Sequence, residues 1–266
     1  MVLSLAESSS STLPLTRLTS GDWVVKNAKV TDDELETLAG RSDLIIRAVD
    51  APLSNISATV LQLFLRTHGS NLERFNLQNN KNIDSETFAN LAQMMPQLKT
   101  LSFQYLHQVT DKDLLRVVES CKELEVLRIS GNNQISKKAF HEILGLDRHF
   151  LELSLDLAGG SKSLQDVGHL EVKAQVEKLR LSGLSFVSSD MPYIPKIKEL
   201  KNMELVLTSV DADAVASLSG GQFAITVQEM SSKKLASFED CFRARDISFA
   251  RDGKKITIYQ EASGGS

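Results

Sequence analysis

Cysteine is scarce: Cys121 and Cys241 are the two in 266 residues, far apart and outside any CxxC or Cys/His spacing. This argues against a disulfide framework or a zinc site and favours a reducing compartment, cytoplasmic or nuclear. Long apolar runs are missing as well. No stretch approaches the roughly 20 apolar residues of a membrane span, so no membrane contact is expected. The opening MVLSLAESSSSTLPL has no Lys or Arg ahead of its short apolar start, and Glu7 and a serine run cut it short. It does not read as a signal peptide, and with its first arginine at Arg17 it does not read as a transit sequence either. Neither sign of charge dominates: 30 basic against 34 acidic residues leave a net charge of −4. That balance gives no general attraction to nucleic acid or to anionic lipid. Motifs of catalysis are absent too, with no GxSxG, no phosphate-cradling glycine loop and no HExxH. His68, His107, His141, His149 and His169 have no ligand or base partner at a recognised spacing and read as solvated or locally hydrogen-bonded. Gly159-Gly160 and Gly220-Gly221 read as loop glycines, and Cys121 as a small core residue. The expectation is a protein that is not an enzyme and carries no cofactor and no metal.

What the chain does contain is a ladder with a step of 26 residues. Frames set at Ser20, Ile46, Leu72, Leu98, Leu124, Phe150, Val176 and Asn202 carry Trp23, Val49, Phe75, Leu101, Leu127, Leu153, Leu179 and Leu205 at their fourth position. The sixth position holds Val25, Ala51, Leu77, Phe103, Ile129, Leu155, Leu181 and Leu207. All of these are apolar in a chain that is 42% hydrophobic, which independent draws would produce roughly once in a million tries. Apolar residues two apart mark a half-buried strand. Beyond each turn a branched aliphatic residue precedes a helix-capping one: Val30-Thr31, Ile56-Ser57, Ile83-Asp84, Val109-Thr110, Ile135-Ser136 and Val187-Ser188. Thr31 with Glu34, and Thr110 with Asp113, have capping-box spacing. Apolar residues then recur at helical intervals, as in Phe88, Leu91 and Ala92, or Leu114, Val117 and Val118.

Each unit is therefore strand, turn, capped helix and return. One unit cannot bury both its strand face and its helix face, whereas stacked units can, with a parallel sheet on one side and helices on the other. The predicted class is an α/β solenoid, curved with the sheet inside, of about eight repeats. Toward the C-terminus, Pro192 and Pro195 oppose a regular helix, and Phe223, Ile225 and Val227 come too early for the step. Ile247–Phe249 and Ile256–Ile258 read as a hairpin turning at Asp252-Gly253. The predicted divisions are a flexible tail over 1–18, the solenoid over 19–222, a C-terminal cap over 223–260 and a disordered end over 261–266.

The pattern LxxLxL, in LERFNL at 72–77, LKTLSF at 98–103 and LEVLRI at 124–129, with Asn80 and Asn132 three residues beyond, is similar to the leucine-rich repeat. The 26-residue length and the position of Cys121 at the end of a repeat helix resemble its cysteine-containing subtype. The resemblance covers about residues 20–210. It implies a scaffold like the repeat domain of F-box substrate receptors, which present a protein to a Skp1–cullin ubiquitin ligase. No intact F-box is expected, because the repeats begin within ten residues of Leu13-Pro14.

The third, fifth and seventh residues of each frame build the inner sheet face. Asp22, Lys26, Asp50, Arg74, Arg128, Glu152, Asp156, Lys178, Arg180 and Glu204 place both signs on it, with Thr208 closing the last frame. A nucleic-acid reader would instead carry a stripe of one sign with aromatics, so no nucleic-acid partner is expected. Mixed charge with amides and hydroxyls suits a protein ligand. The candidate partner-binding residues are Arg74, Asn76, Gln78, Gln104, Tyr105, Arg128, Glu152, Asp156, Lys178 and Arg180. The competing expectation is a structural subunit docked in a larger complex by its helical face or cap. The chain itself would be a monomer or one subunit of a hetero-complex.

Overall fold

In this computed structural model, residues 13–26, 29–52, 54–78, 82–132, 134–157, 171–184, 186–206, 208–218, 223–228 and 230–258 are described, apart from the side chains of residues 77 and 78. One sheet of twelve strands organises them: β1 (Leu15–Arg17), β2 (Trp23–Lys26), β3 (Ile46–Asp50), β4 (Arg74–Gln78), β5 (Thr100–Gln104), β6 (Val126–Ser130), β7 (His149–Asp156), β8 (Gln175–Ser182), β9 (Asn202–Val206), β10 (Ala224–Gln228), β11 (Phe249–Asp252) and β12 (Lys255–Ile258). Strands lie in chain order, except that β12 sits between β10 and β11. From β2 to β10 every pairing is parallel, while β1–β2, β10–β12 and β11–β12 are antiparallel. The helices are α1 (Asp32–Ala39), α2 (Ala58–His68), α3 (Ser85–Gln93), α4 (Asp111–Ser120), α5 (Lys137–Leu144), α6 (Ala212–Ala216) and α7 (Ser232–Ala244), with a 3-10 helix over Ser188–Lys196. The class is α/β, with an open and mostly parallel sheet.

Period-two alternation puts one row of side chains into the core. Val25, Val49, Phe75, Leu101, Leu127, Leu153, Leu179, Met203 and Ile225 stand side by side across nine strands, and all are buried. Each such side chain contributes about 1.5–3 kcal/mol relative to leaving it in water. The helices cover this row with Phe88, Leu91, Ala92, Leu114, Val117, Val118, Phe140, Ile143 and Leu144, all buried. The starts of α1 to α5 are capped by the predicted residues, whereas Ser188 is the first residue of the 3-10 helix and Val187 stands at its cap position. The Thr31 side chain accepts from the Glu34 N–H at 3.3 Å, and Glu34 accepts from the Thr31 N–H at 2.8 Å. Asp113 returns to the Thr110 N–H at 3.0 Å, and Asp84 accepts from the Thr87 N–H at 2.8 Å. The caps are also laced to one another: Asp32 accepts from the Ser57 N–H at 2.8 Å, and Asp111 from the Ser136 N–H at 2.7 Å. This lacing satisfies the amides ahead of α2 and α5 and ties those helix starts to their neighbours.

The ladder holds from β3 to β8, where Val49 faces Phe75, Phe75 faces Leu101 and Leu153 faces Leu179, each 26 residues on. At both ends the predicted frame slips by two residues. Val25, not Trp23, stands opposite Val49, and Met203, not Leu205, stands opposite Leu179. A two-residue slip keeps the same face inward, so alternation cannot detect it. Trp23 is accordingly half-buried rather than a core residue, with the Arg17 guanidinium 5.8 Å from its ring centre. The slip also moves Thr208 beyond β9, where it is buried.

Other expectations change at the termini. Residues 15–17, read as part of a flexible tail, pair antiparallel with β2, and Leu13 and Leu15 pack on the core. The sheet runs on past residue 222, because β10 pairs parallel with β9. Helix α7 was not foreseen, and the hairpin β11–β12 turns at Gly253-Lys254, since Asp252 pairs with Lys255. The tails 1–12 and 259–266 lie outside the described residues.

One rung of the helical layer is bridged by charge. Between β7 and β8, residues 158–170, including Gly159, Gly160 and His169, lie outside the described residues. Across this interval α5 and the 3-10 helix meet directly. Lys137 Nζ lies 2.7 Å from Asp190 Oδ2, with side chains 4% and 0% exposed. One turn on, the buried His141 ring packs against Tyr193 at 5.2 Å. Pro192 and Pro195 lie inside the 3-10 helix, where a regular α-helix would need their missing N–H groups.

Candidate functional site

The side of the sheet away from the helices carries a groove of about 750 Å³. Its lining comes from eight adjacent strands, starting with Val24 and Lys26 on β2 and ending with Val206 on β9. A single groove reaching so many strands means that this face is hollowed rather than flat. Its floor is a lane of small polar groups: Thr100, Ser102, Ser130, Ser154 and Ser182, with Asn76 and Gln104. Period two puts them there, because they alternate with the core row in the same strands.

The charged residues are arranged by pairing across strands. Arg128 lies directly opposite Ser154, and its neighbour Val126 opposite Glu152. From there the guanidinium donates to both Glu152 oxygens, Nε to Oε1 at 2.9 Å and Nη2 to Oε2 at 2.5 Å. This bidentate bond raises the Arg128 pKa and holds the Glu152 carboxyl below its ordinary range. Lys178 and Arg180 share Glu204, at 3.4 and 3.5 Å. Asp156 accepts from the Gly131 N–H. Asn76 Nδ2 donates to Asp50 at 2.7 Å, while Asn76 Oδ1 has no hydrogen-bond partner among the described residues. Arg74 and Lys26 are different, since no carboxylate of the described residues lies within ion-pairing distance of either.

Of the ten predicted binding residues, Arg74, Asn76, Gln104, Arg128, Glu152, Asp156 and Arg180 line the groove. Lys178 is not among the lining residues, and it is held by Glu204. The side chain of Gln78 lies outside the described residues. Tyr105 sits beyond the strand end on the rim, in the left-handed region at φ 60°, with its ring 6.2 Å from that of His107. Asp22, expected on the inner face, instead pairs with Arg47 at 2.9 Å at the strand starts. There it begins a chain of alternating charge: Arg47 to Glu73 at 3.6 Å and Glu73 to Lys99 at 3.4 Å. This rim chain was legible as alternating signs at the second frame position, since Arg47, Glu73, Lys99 and Glu125 recur at the repeat step.

Tyr105 depends on Gly131. A Cβ at Gly131 would lie 2.5 Å from Tyr105 Cδ1, and the glycine itself has φ +64°. Gly131→Ala therefore costs stability twice, through the ring clash and through the left-handed backbone, by about 1–3 kcal/mol in total. Adding Tyr105→Ala should restore the clash part only. Urea unfolding of the single and double variants measures it, and additive losses would refute the contact.

Cys121, His68 and His141 are packed away, whereas Cys241 is partly exposed and His107 and His149 are exposed. Burial pushes the Cys121 thiol up to about 11, and Sγ lies 3.6 Å from the Met95 carbonyl. Arg148 donates to the Val118, Cys121 and Leu124 carbonyls at 2.6, 2.9 and 3.0 Å, satisfying the end of α4. His68 Nε2 lies 2.9 Å from the Leu38 carbonyl. Burial lowers the pKa of His141. Among the described residues no three His, Cys, Asp or Glu side chains form a metal-ligand cluster, and no helix is long and apolar enough to cross a membrane. No protein-family model matches the chain, and no curated protein is similar to it.

Proposed function

We infer that the chain is a non-enzymatic binding module that holds a protein partner in the groove of its sheet. The observation that carries this reading is one groove across eight parallel strands, with a mainly polar lining from β4 to β8 and Val24, Ala48 and Val206 toward its ends. Such a lining offers hydroxyl and amide hydrogen bonds along an extended segment, at a scale set by the roughly 4.8 Å strand spacing. The finer architecture belongs to the same reading: a leucine-rich-repeat solenoid of about eight repeats, closed at its C-terminal end by the β11–β12 hairpin. The constant 26-residue register through its middle supports it, as does Asn132, whose side chain donates to the Leu106 and Val109 carbonyls of the preceding unit at 2.8 and 3.2 Å.

A docked assembly subunit would present a contiguous apolar patch on its helices or at its end. The exposed large apolar side chains among the described residues are instead dispersed: Ile45 and Leu151 near strand starts, Leu63 on α2, and Tyr105 and Leu184 beyond strand ends. This favours the groove. The test is affinity capture with the full chain, with Gln104→Trp to fill the groove, and with Lys138→Glu on the helical side. The groove reading expects one protein to be lost with Gln104→Trp and kept with Lys138→Glu, and the reverse pattern refutes it. Recovery of Skp1 or a cullin in the same eluate would tie the module to a ubiquitin ligase.

A further inference from the structure

The geometry points to an acidic, extended peptide segment as the occupant of the groove, with Arg74 as the seat of its carboxylate; this rests on the groove reading above. The chain as a whole carries a net charge of −4, yet the groove is lined by four cations and three carboxylates. What matters is which of these remain available. Arg128 is neutralised by the bidentate bond to Glu152, and Arg180 shares Glu204 with Lys178. The Asp50 carboxylate already accepts from the Asn76 amide, and Asp156 from the Gly131 N–H. Arg74 and Lys26, at the β2–β4 end, are left with exposed side chains and no ion pair among the described residues.

Arg74 stands at a junction. It lines the groove and also the neighbouring depression at the strand starts, where Arg47 and Lys99 are balanced by Asp22, Glu73 and Glu125. Inward of that charge-balanced rim, a segment meets Arg74 and then the lane of Thr100, Ser102 and Gln104. A guanidinium can hold a carboxylate through two parallel N–H bonds, and the hydroxyls and amides beyond it serve the backbone of an extended chain. With Asp50 directly opposite Lys26, Arg74 carries the excess positive charge at this end, and the neutral lane beyond it would fix the direction in which the segment lies.

The test pans phage-displayed random peptides, long enough to cross the groove, against the full chain. Selected peptides are then titrated by fluorescence anisotropy against wild type, Arg74→Met and Gln104→Trp, whose melting temperatures are checked first. Enrichment of Asp and Glu, with affinity at least about tenfold weaker for Arg74→Met and lost for Gln104→Trp, is the expected result. Peptides lost with Gln104→Trp but indifferent to Arg74→Met, or free of acidic residues, overturn the acidic occupant and leave the groove reading intact. Peptides indifferent to both variants, or no enrichment, overturn both. A single-stranded DNA oligonucleotide that binds more tightly than the peptides and depends on Arg74 overturns the peptide assignment in favour of a nucleic acid.

Discussion

Replacing Lys137 by methionine lowers the stability of the fold by about 3–5 kcal/mol. The side chain is buried on α5, and its ammonium lies 2.7 Å from the fully buried Asp190 carboxylate. Methionine preserves much of the stem's packing but removes the ammonium from the fully buried Asp190 carboxylate, which also accepts from the Val187 N–H at 2.9 Å. A buried carboxylate with no counter-ion costs far more than the pair contributes when both charges are present. The effect should therefore be reversible by chemistry at the second site. Lys137→Met with Asp190→Asn removes the orphaned charge while keeping an acceptor for the Val187 N–H, and it should recover more than half of the loss. Urea unfolding followed by circular dichroism measures both. A single variant within about 1 kcal/mol of wild type would show that the pair does not join α5 to the 3-10 helix.

Phe103→Ala has a comparable cost for a different reason, about 3–5 kcal/mol. Phe103 is buried on the core side of β5, with its ring edge-on to Phe75 at 5.9 Å and to Phe88 at 4.7 Å. It thus ties β4, β5 and α3 at one point. Truncation loses the transfer energy of the ring and leaves a cavity that two large neighbours cannot close. Phe103→Leu, which refills part of that volume, should lose less than half as much. Equal losses for alanine and leucine would mean that ring geometry rather than volume decides, and a loss below about 1 kcal/mol would place Phe103 outside the core network.

Much of this fold was legible in the chain before any coordinates. A period of two names the residues of each strand that face inward, and the core row from Val49 to Leu179 follows from it without exception. Cap residues were equally readable, because Thr31, Ser57, Asp84, Thr110 and Ser136 each precede an apolar helical pattern and each begins a helix. Helix α7 escaped because it follows a unit in which the step between strands has contracted, so Leu235, Phe238 and Phe242 fall outside the expected frame. Strand β1 escaped because three residues carry no usable alternation.

The sequence by itself determined which face of each repeat strand is buried, since parity survives any slip of two residues. It also pointed to the parallel order, since parallel neighbours need a crossover of about a dozen residues or more, which each capped helix supplies. Only the tertiary structure decided the register at the two ends, where Val25 and Met203 rather than Trp23 and Leu205 join the core row. It alone decided which charges are already spent. Arg74 and Arg128 are alike in sequence, each placed on the inner face of its strand, but only Arg128 has a carboxylate on the neighbouring strand at hydrogen-bonding distance. Contacts between residues 24 or 26 apart depend on how units lie against one another, and no local pattern records that distance.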